Sequence, residues 1–206
     1  MTTEFSSADK RKAVGYEIRD LLAGSAFPIM LQLVFSASII LFADSSLGEL
    51  ALQIVALVFG EGLLIGAYLI FGRQNGIAAV RKSVQNVTRR ENSDDIKAHF
   101  RVGEYALWKG FVIGFITCVP FILFQFVQGV YPNVVCEFIL KYAFGWATYP
   151  LDFAAVSDWL NLVWIIPLTC VHAAAYYWGG ALERKRQQKV ADAAPKGKKR
   201  NKEDEN

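Results

Sequence analysis

The stretch LALQIVALVFGEGLLIGAYLIFG, Leu50–Gly72, decides the fold: it carries 23 residues and a single charge, Glu61. As a helix rising 1.5 Å per residue it is about 35 Å long, enough to cross the roughly 30 Å hydrocarbon layer of a bilayer. A soluble helix of that length needs a polar face, and this one has none. Three more stretches repeat the pattern, Gly24–Ala43, Tyr105–Gln128 and Trp159–Leu182. The reading is an all-α, polytopic helical membrane protein. It has four transmembrane helices, arranged as two antiparallel hairpins with interfacial amphipathic helices.

Polar segments separate the spans. Residues 1–23 hold Lys10, Arg11, Lys12 and Arg19 beside Glu4, Asp9, Glu17 and Asp20. With Val14, Ile18, Leu21 and Leu22 at helical spacing, they read as an amphipathic helix on the cytoplasmic membrane face. A cleaved signal peptide is the competing reading. The apolar stretch is too long for it, and Leu41-Phe42-Ala43 lacks the small-x-small cleavage pattern. Asp44–Glu49 is a polar turn. Residues 73–104 form a basic connection, in which Asn75-Gly76 signals a turn and Ile77, Val80, Val84 and Val87 a second interfacial helix. Asn92-Ser93-Asp94-Asp95 reads as a helix start. Residues 183–206 are polar and basic and cannot bury a core, which predicts a disordered cytoplasmic tail.

Charge counts the crossings. Of the 22 Lys and Arg, four precede the first span, seven lie in 73–104 with Lys109 at its edge, and nine lie in the tail, so only Lys141 stands apart. Lys and Arg near span ends stay cytoplasmic. Four spans therefore place both termini inside. The apolar segment 129–158 then lies on the outer face, as an interfacial helix or a re-entrant dip. Tyr131, Trp146, Tyr149 and Trp159 suit the headgroup zone there. Small size and dense apolar spans point to the plasma membrane of a prokaryote.

Few residues offer chemistry. Glu61 lies mid-span between two glycines, where a carboxylate is costly unless protonated, paired or wetted. Counting from the outer helix ends puts Glu61 about 16 Å deep and His172 about 20 Å deep. That predicts an intramembrane Glu61–His172 pair, either a plain structural contact or part of a proton or solute path. Gly62/Gly66 and Gly110/Gly114 are GxxxG pairs, which let a neighbouring backbone approach closely. They serve packing within the bundle or an oligomer interface. Arg81, Lys82, Arg89, Arg90, Arg184, Lys185 and Arg186 are positioned for anionic lipid headgroups, unless they serve topology alone. Lys109 reads as snorkelling to the headgroups. Pro28, Pro120 and Pro167 sit inside spans, where proline kinks a helix. Asn86-Val87-Thr88 is a sequon on the wrong side for glycosylation.

Much chemistry is excluded. Cys118, Cys136 and Cys170 are odd in number, without Cys-x-x-Cys spacing, and read as buried small hydrophobes. No metal set, nucleotide loop or nucleophile motif occurs, so no catalytic residue, metal or cofactor is assigned. A net charge of +3 gives no ground for nucleic-acid binding. The favoured function is a small non-enzymatic membrane component working by helix-mediated association, as a homo-oligomer or with other membrane proteins. The alternatives are a transporter or channel subunit using Glu61 and His172, and an intramembrane lipid-modifying enzyme.

Overall fold

The computed structural model describes residues 6–45, 50–92, 95–148 and 158–193. Of the expected turn over 44–49, residues 46–49 lie outside the described residues, as do Tyr149, Pro150 and residues 194–206. Asp44 and Ser45 close the first helix, and residues 183–193, expected in a disordered tail, are helical because they continue the last helix. The described chain is helical: α1 Ser7–Ser45, α2 Leu50–Asn92, α3 Ile96–His99, α4 Leu107–Val130, α5 Val134–Ala143, a 3-10 helix Asp158–Trp164, and α6 Ile165–Ala193. Four helices are long and apolar enough to cross a membrane, over Ser7–Ala37, Leu57–Arg90, Leu107–Val130 and Leu160–Ala193.

The helices run through the breaks read from sequence. α1 continues past Ala23-Gly24, and α2 passes through Asn75-Gly76 without a turn. Gly76 packs rather than turns: a Cβ there would overlap the Tyr176 carbonyl oxygen of α6. The segments expected to lie apart as interfacial helices are thus continuous with the long helices. Pro28 and Pro120 sit inside α1 and α4. Pro167 falls in the first turn of α6, where backbone N–H groups need no intrahelical partner and proline is tolerated. Asp95 caps α3 as its sequence position predicts, accepting from the Lys97 N–H at 2.9 Å.

Contacts fix the helix directions. Between α1 and α2, Asp20 meets Lys82, Gly24 meets Asn75, Phe27 meets Phe71 and Gln32 meets Tyr68, so these helices lie antiparallel. Gly110 packs on Tyr176 and Gly114 on Thr169, so α4 and α6 are antiparallel too. α2 and α6 run parallel, with Gly72 against His172 and Ala175, and Arg81 against Glu183.

The interior has two halves. Toward Val130, large side chains fill it: Leu64, Tyr68, Cys118, Phe121, Phe144 and Trp146 form one buried cluster. Trp146 is wholly buried, its ring 5.4 Å from that of Phe121 and its backbone N–H donating to Ser36 Oγ at 3.5 Å. This corrects its expected place in the headgroup zone. The segment after α5 tucks into the bundle because Phe144, Trp146 and Ala147 are apolar and meet α2 and α4 side chains there. Tyr131 is exposed, as expected. Toward the end holding Ser7 and Ala193, here the basic end, small residues bring backbones together instead.

Candidate functional site

α2 and α6 make their closest approach through glycines. Added Cβ atoms would stand 2.7 Å from His172 O and 2.8 Å from the Ala175 Cβ at Gly72, and on Gly179 would overlap the Arg73 backbone. Gly110 and Gly114 serve the same purpose between α4 and α6, with Cβ positions 3.0 Å from the Tyr176 ring and 3.1 Å from the His172 Cβ. Gly62 and Gly66 behave differently: among the described residues nothing lies within 4 Å of either Cβ position. Their neighbours Val58, Phe59, Leu63 and Ile70 point outward.

A polar relay crosses the bundle between these levels. Gln32 Nε2 donates to Tyr68 Oη. Tyr68 Oη and Thr117 Oγ1 are 2.9 Å apart, and Thr117 Oγ1 donates to Gly114 O at 2.6 Å. The Gly114 carbonyl only accepts, so the protons run in one direction, from α1 through α2 to α4. Three helices are tied by one tyrosine hydroxyl. Polar bonds of this kind in membrane proteins contribute about 0.6 kcal/mol on average.

His172 is fully buried, and its Nδ1 lies 3.0 Å from Gly110 O. A carbonyl cannot donate, so Nδ1 carries the proton and Nε2 of the neutral ring is a bare acceptor. That Nε2 has no hydrogen-bond partner, nor has Oε1 of Glu61. The structure does not join the two. His172 packs at the level of Gly72, eleven residues and about 16 Å along α2 from Glu61. The compared depths assumed about 1.5 Å per residue and outer helix ends that lie level. The 3-10 stretch Asp158–Trp164 ahead of α6 climbs about 2.0 Å per residue, which adds only about 4 Å. The rest of the offset means that the outer ends of α2 and α6 are not level. Glu61 keeps the face of Tyr68, seven residues on, and so points into the bundle. Gln32 Oε1 and Asn161 Oδ1 are likewise buried without hydrogen-bond partners among the described residues. An unpartnered buried polar atom costs about 1–3 kcal/mol.

The basic end is an ion-paired layer. Arg81 Nε sits 2.9 Å from Glu183, Lys82 Nζ 2.7 Å from Asp20, and Arg89 3.7 Å from Asp95. Arg90 pairs with Glu104, and Arg186 lies 4.0 Å from Glu183. Arg184 covers the Tyr105 ring at 4.2 Å, and Tyr105 stacks on Tyr176 with centroids 5.1 Å apart. Gly180 makes room for that stack, since a Cβ there would strike the Tyr105 ring. Six of the seven residues read as headgroup contacts are therefore engaged within the protein. Lys185 alone makes no ion pair or ring contact among the described residues. Lys109 does not snorkel: it is 7% exposed and pairs with Glu17, whose other oxygen accepts from Gly103 N–H at 2.8 Å. Asn86 is buried and donates to Val102 O at 3.1 Å, so the sequon side chain is structural. Cys118 and Cys136 are buried as read, but Cys170 is exposed. Among the described residues no group of three or more His, Cys, Asp or Glu could hold a metal.

Sequence reasoning missed three features. Gly72-x-x-x-Gly76 was legible as a packing pair, but its Asn-Gly ending gave it the look of a turn. The Gln32–Tyr68–Thr117 relay had no motif. The acids Asp20, Asp95, Glu104 and Glu183, each set opposite a base, were visible only as composition. No protein-family model, curated protein or solved structure matches this chain.

Proposed function

We propose that this chain is a non-enzymatic, four-span membrane component that works by helix-mediated association. It crosses the bilayer as two hairpins with its basic end in the cytoplasm, and α2 offers its open glycine groove to a second copy. The carrying observation is that Gly62 and Gly66 meet nothing within 4 Å among the described residues, while the pairs Gly72/Gly76 and Gly110/Gly114 are filled from inside. Lipid tails give no hydrophobic drive for helices to associate, so a groove permitting close backbone contact supplies the gain. A groove on one face is self-complementary, and a two-fold axis can place it against its own copy. Large apolar side chains exposed around the groove, among them Val58, Phe59 and Leu69, fit a surface bathed in lipid. The test is subunit counting by single-molecule photobleaching in liposomes. The wild type gives dimers. Gly62→Leu/Gly66→Leu gives monomers that retain the wild-type melting profile. Equal dimer fractions in both would refute the proposal.

One observation favours a second reading, a polar path in a transporter or channel subunit. The bundle interior holds Gln32, Glu61 and His172 with atoms that have no hydrogen-bond partner among the described residues, at several depths. Water or a polar solute satisfies such groups. Proton flux in proteoliposomes, lost on Glu61→Gln while topology is kept, would favour this reading over simple association.

A further inference from the structure

A cleft of about 280 Å³ opens at the basic end between α1, α2, α4 and α6. Two ion pairs line it, Asp20–Lys82 and Glu17–Lys109, together with Asn75 and Tyr176. Gly103, at φ +73, sits between them. Its N–H holds Glu17, and its Cβ position lies 2.7 Å from Asp20 Oδ2 and 3.1 Å from Lys82 Nζ. Both pairs thus share one small space. Lys82 is half exposed and free to reorient, whereas Lys109 is nearly enclosed. Tyr176 is 1% exposed; its hydroxyl oxygen lies beside the Ala106 backbone N–H, and no acceptor among the described residues takes its own proton. A buried donor of this kind, lining a cleft, can serve an acceptor on a ligand. The cleft sits where the apolar runs of α2 and α4 give way to charge, at the level of lipid headgroups in a spanning protein.

We propose that this cleft binds the ethanolamine-phosphate headgroup of a zwitterionic phospholipid. The ammonium offers three N–H donors to Asp20 and Glu17, one turn apart on α1. The phosphate accepts from Lys82 and from the Tyr176 hydroxyl. The volume lies at the small end for ligand sites and suits a headgroup rather than a large solute. The paired charges set the preference. An anionic headgroup without an amine brings no cation to the two carboxylates, at most neutral hydroxyl donors, and adds a net negative charge beside them. A choline headgroup has no N–H to donate. The basic end therefore selects one lipid by matched pairs instead of attracting negative charge in general. This inference rests on four membrane crossings and not on α2 self-association.

The experiment is native mass spectrometry of the full chain from mixed-lipid nanodiscs containing phosphatidylcholine, phosphatidylethanolamine and phosphatidylglycerol. The ethanolamine lipid is expected to be retained roughly tenfold over the other two. Asp20→Asn/Lys82→Gln, which keeps side-chain shape at a partly exposed pair, should bring retention to parity, while Lys185→Gln should change nothing. Wild-type competition among the three lipids stands as a test even if the double variant does not fold. Equal retention of all three lipids, preference for the glycerol lipid, or unchanged retention in the double variant would overturn the proposal. So would displacement of the bound lipid by dissolved phosphoethanolamine at matching concentration, which would assign the cleft to a free solute.

Discussion

Two glycine pairs on one helix meet opposite fates. Gly72 and Gly76 of α2 are pressed against α6 so closely that neither has room for a methyl group, while Gly62 and Gly66 face open space. The pairs are ten residues apart, which leaves them about 80° apart around the helix axis. A helix that buries one pair against α6 cannot bury the other there. The same spacing of the same residue is a structural clasp in one place and a free surface in the other, and the angle between them decides which is which.

The clasp should be the more fragile. Gly76→Ala drives a methyl group into the Tyr176 carbonyl, backbone against backbone, with no flexible side chain to yield. It should cost about 3 kcal/mol or more and spread the elution profile in detergent. Gly62→Ala should leave thermal stability equal or raised by up to about 1 kcal/mol, because alanine suits a helix better than glycine. If both substitutions proved neutral in a melting experiment, the contrast between the pairs would be void.

A middle-sized effect sharpens the same comparison. Tyr68 lies between the two pairs and ties α1 to α4 through its hydroxyl. Tyr68→Phe keeps the ring in its cluster and removes only the relay, so a loss near 1 kcal/mol is expected by denaturant titration. A much larger loss would mean that the hydroxyl, and not the glycine clasp, holds the bundle together. The smallest effect is expected at Glu61, which has no partner to lose. Glu61→Gln should insert, fold and melt as the wild type does, within about 0.5 kcal/mol.

How much of this was legible follows from the range of each signal. The four apolar helices are written in local composition, but only α4 keeps its predicted ends to within two residues; α1, α2 and α6 run on by about ten to twenty residues into the polar segments. Helix continuity through Asn75-Gly76 is not, because that dipeptide turns or packs according to what lies beside it. There it is Tyr176, a hundred residues away. Glu61 stood out by cost alone, and its burial on the face of Tyr68 follows from a seven-residue spacing. Its supposed partner did not follow, since counting depth from the outer ends assumes that those ends are level, and a 3-10 turn ahead of α6 adds about 4 Å more. The ion pairs of the α2 cations were not legible, because the acids that meet them lie on α1, α6 and the segment before α4.

A membrane-crossing bundle of this topology has its basic residues at one end, on one side of the bilayer. Membrane-impermeant thiol labelling tests this, using single cysteines placed at Asp9, Tyr131 and Lys189 in a background lacking Cys118, Cys136 and Cys170. Asp9 and Lys189 should label from one side of sealed vesicles and Tyr131 from the other. Labelling of Asp9 and Lys189 from opposite sides, or of all three from one side, would contradict it.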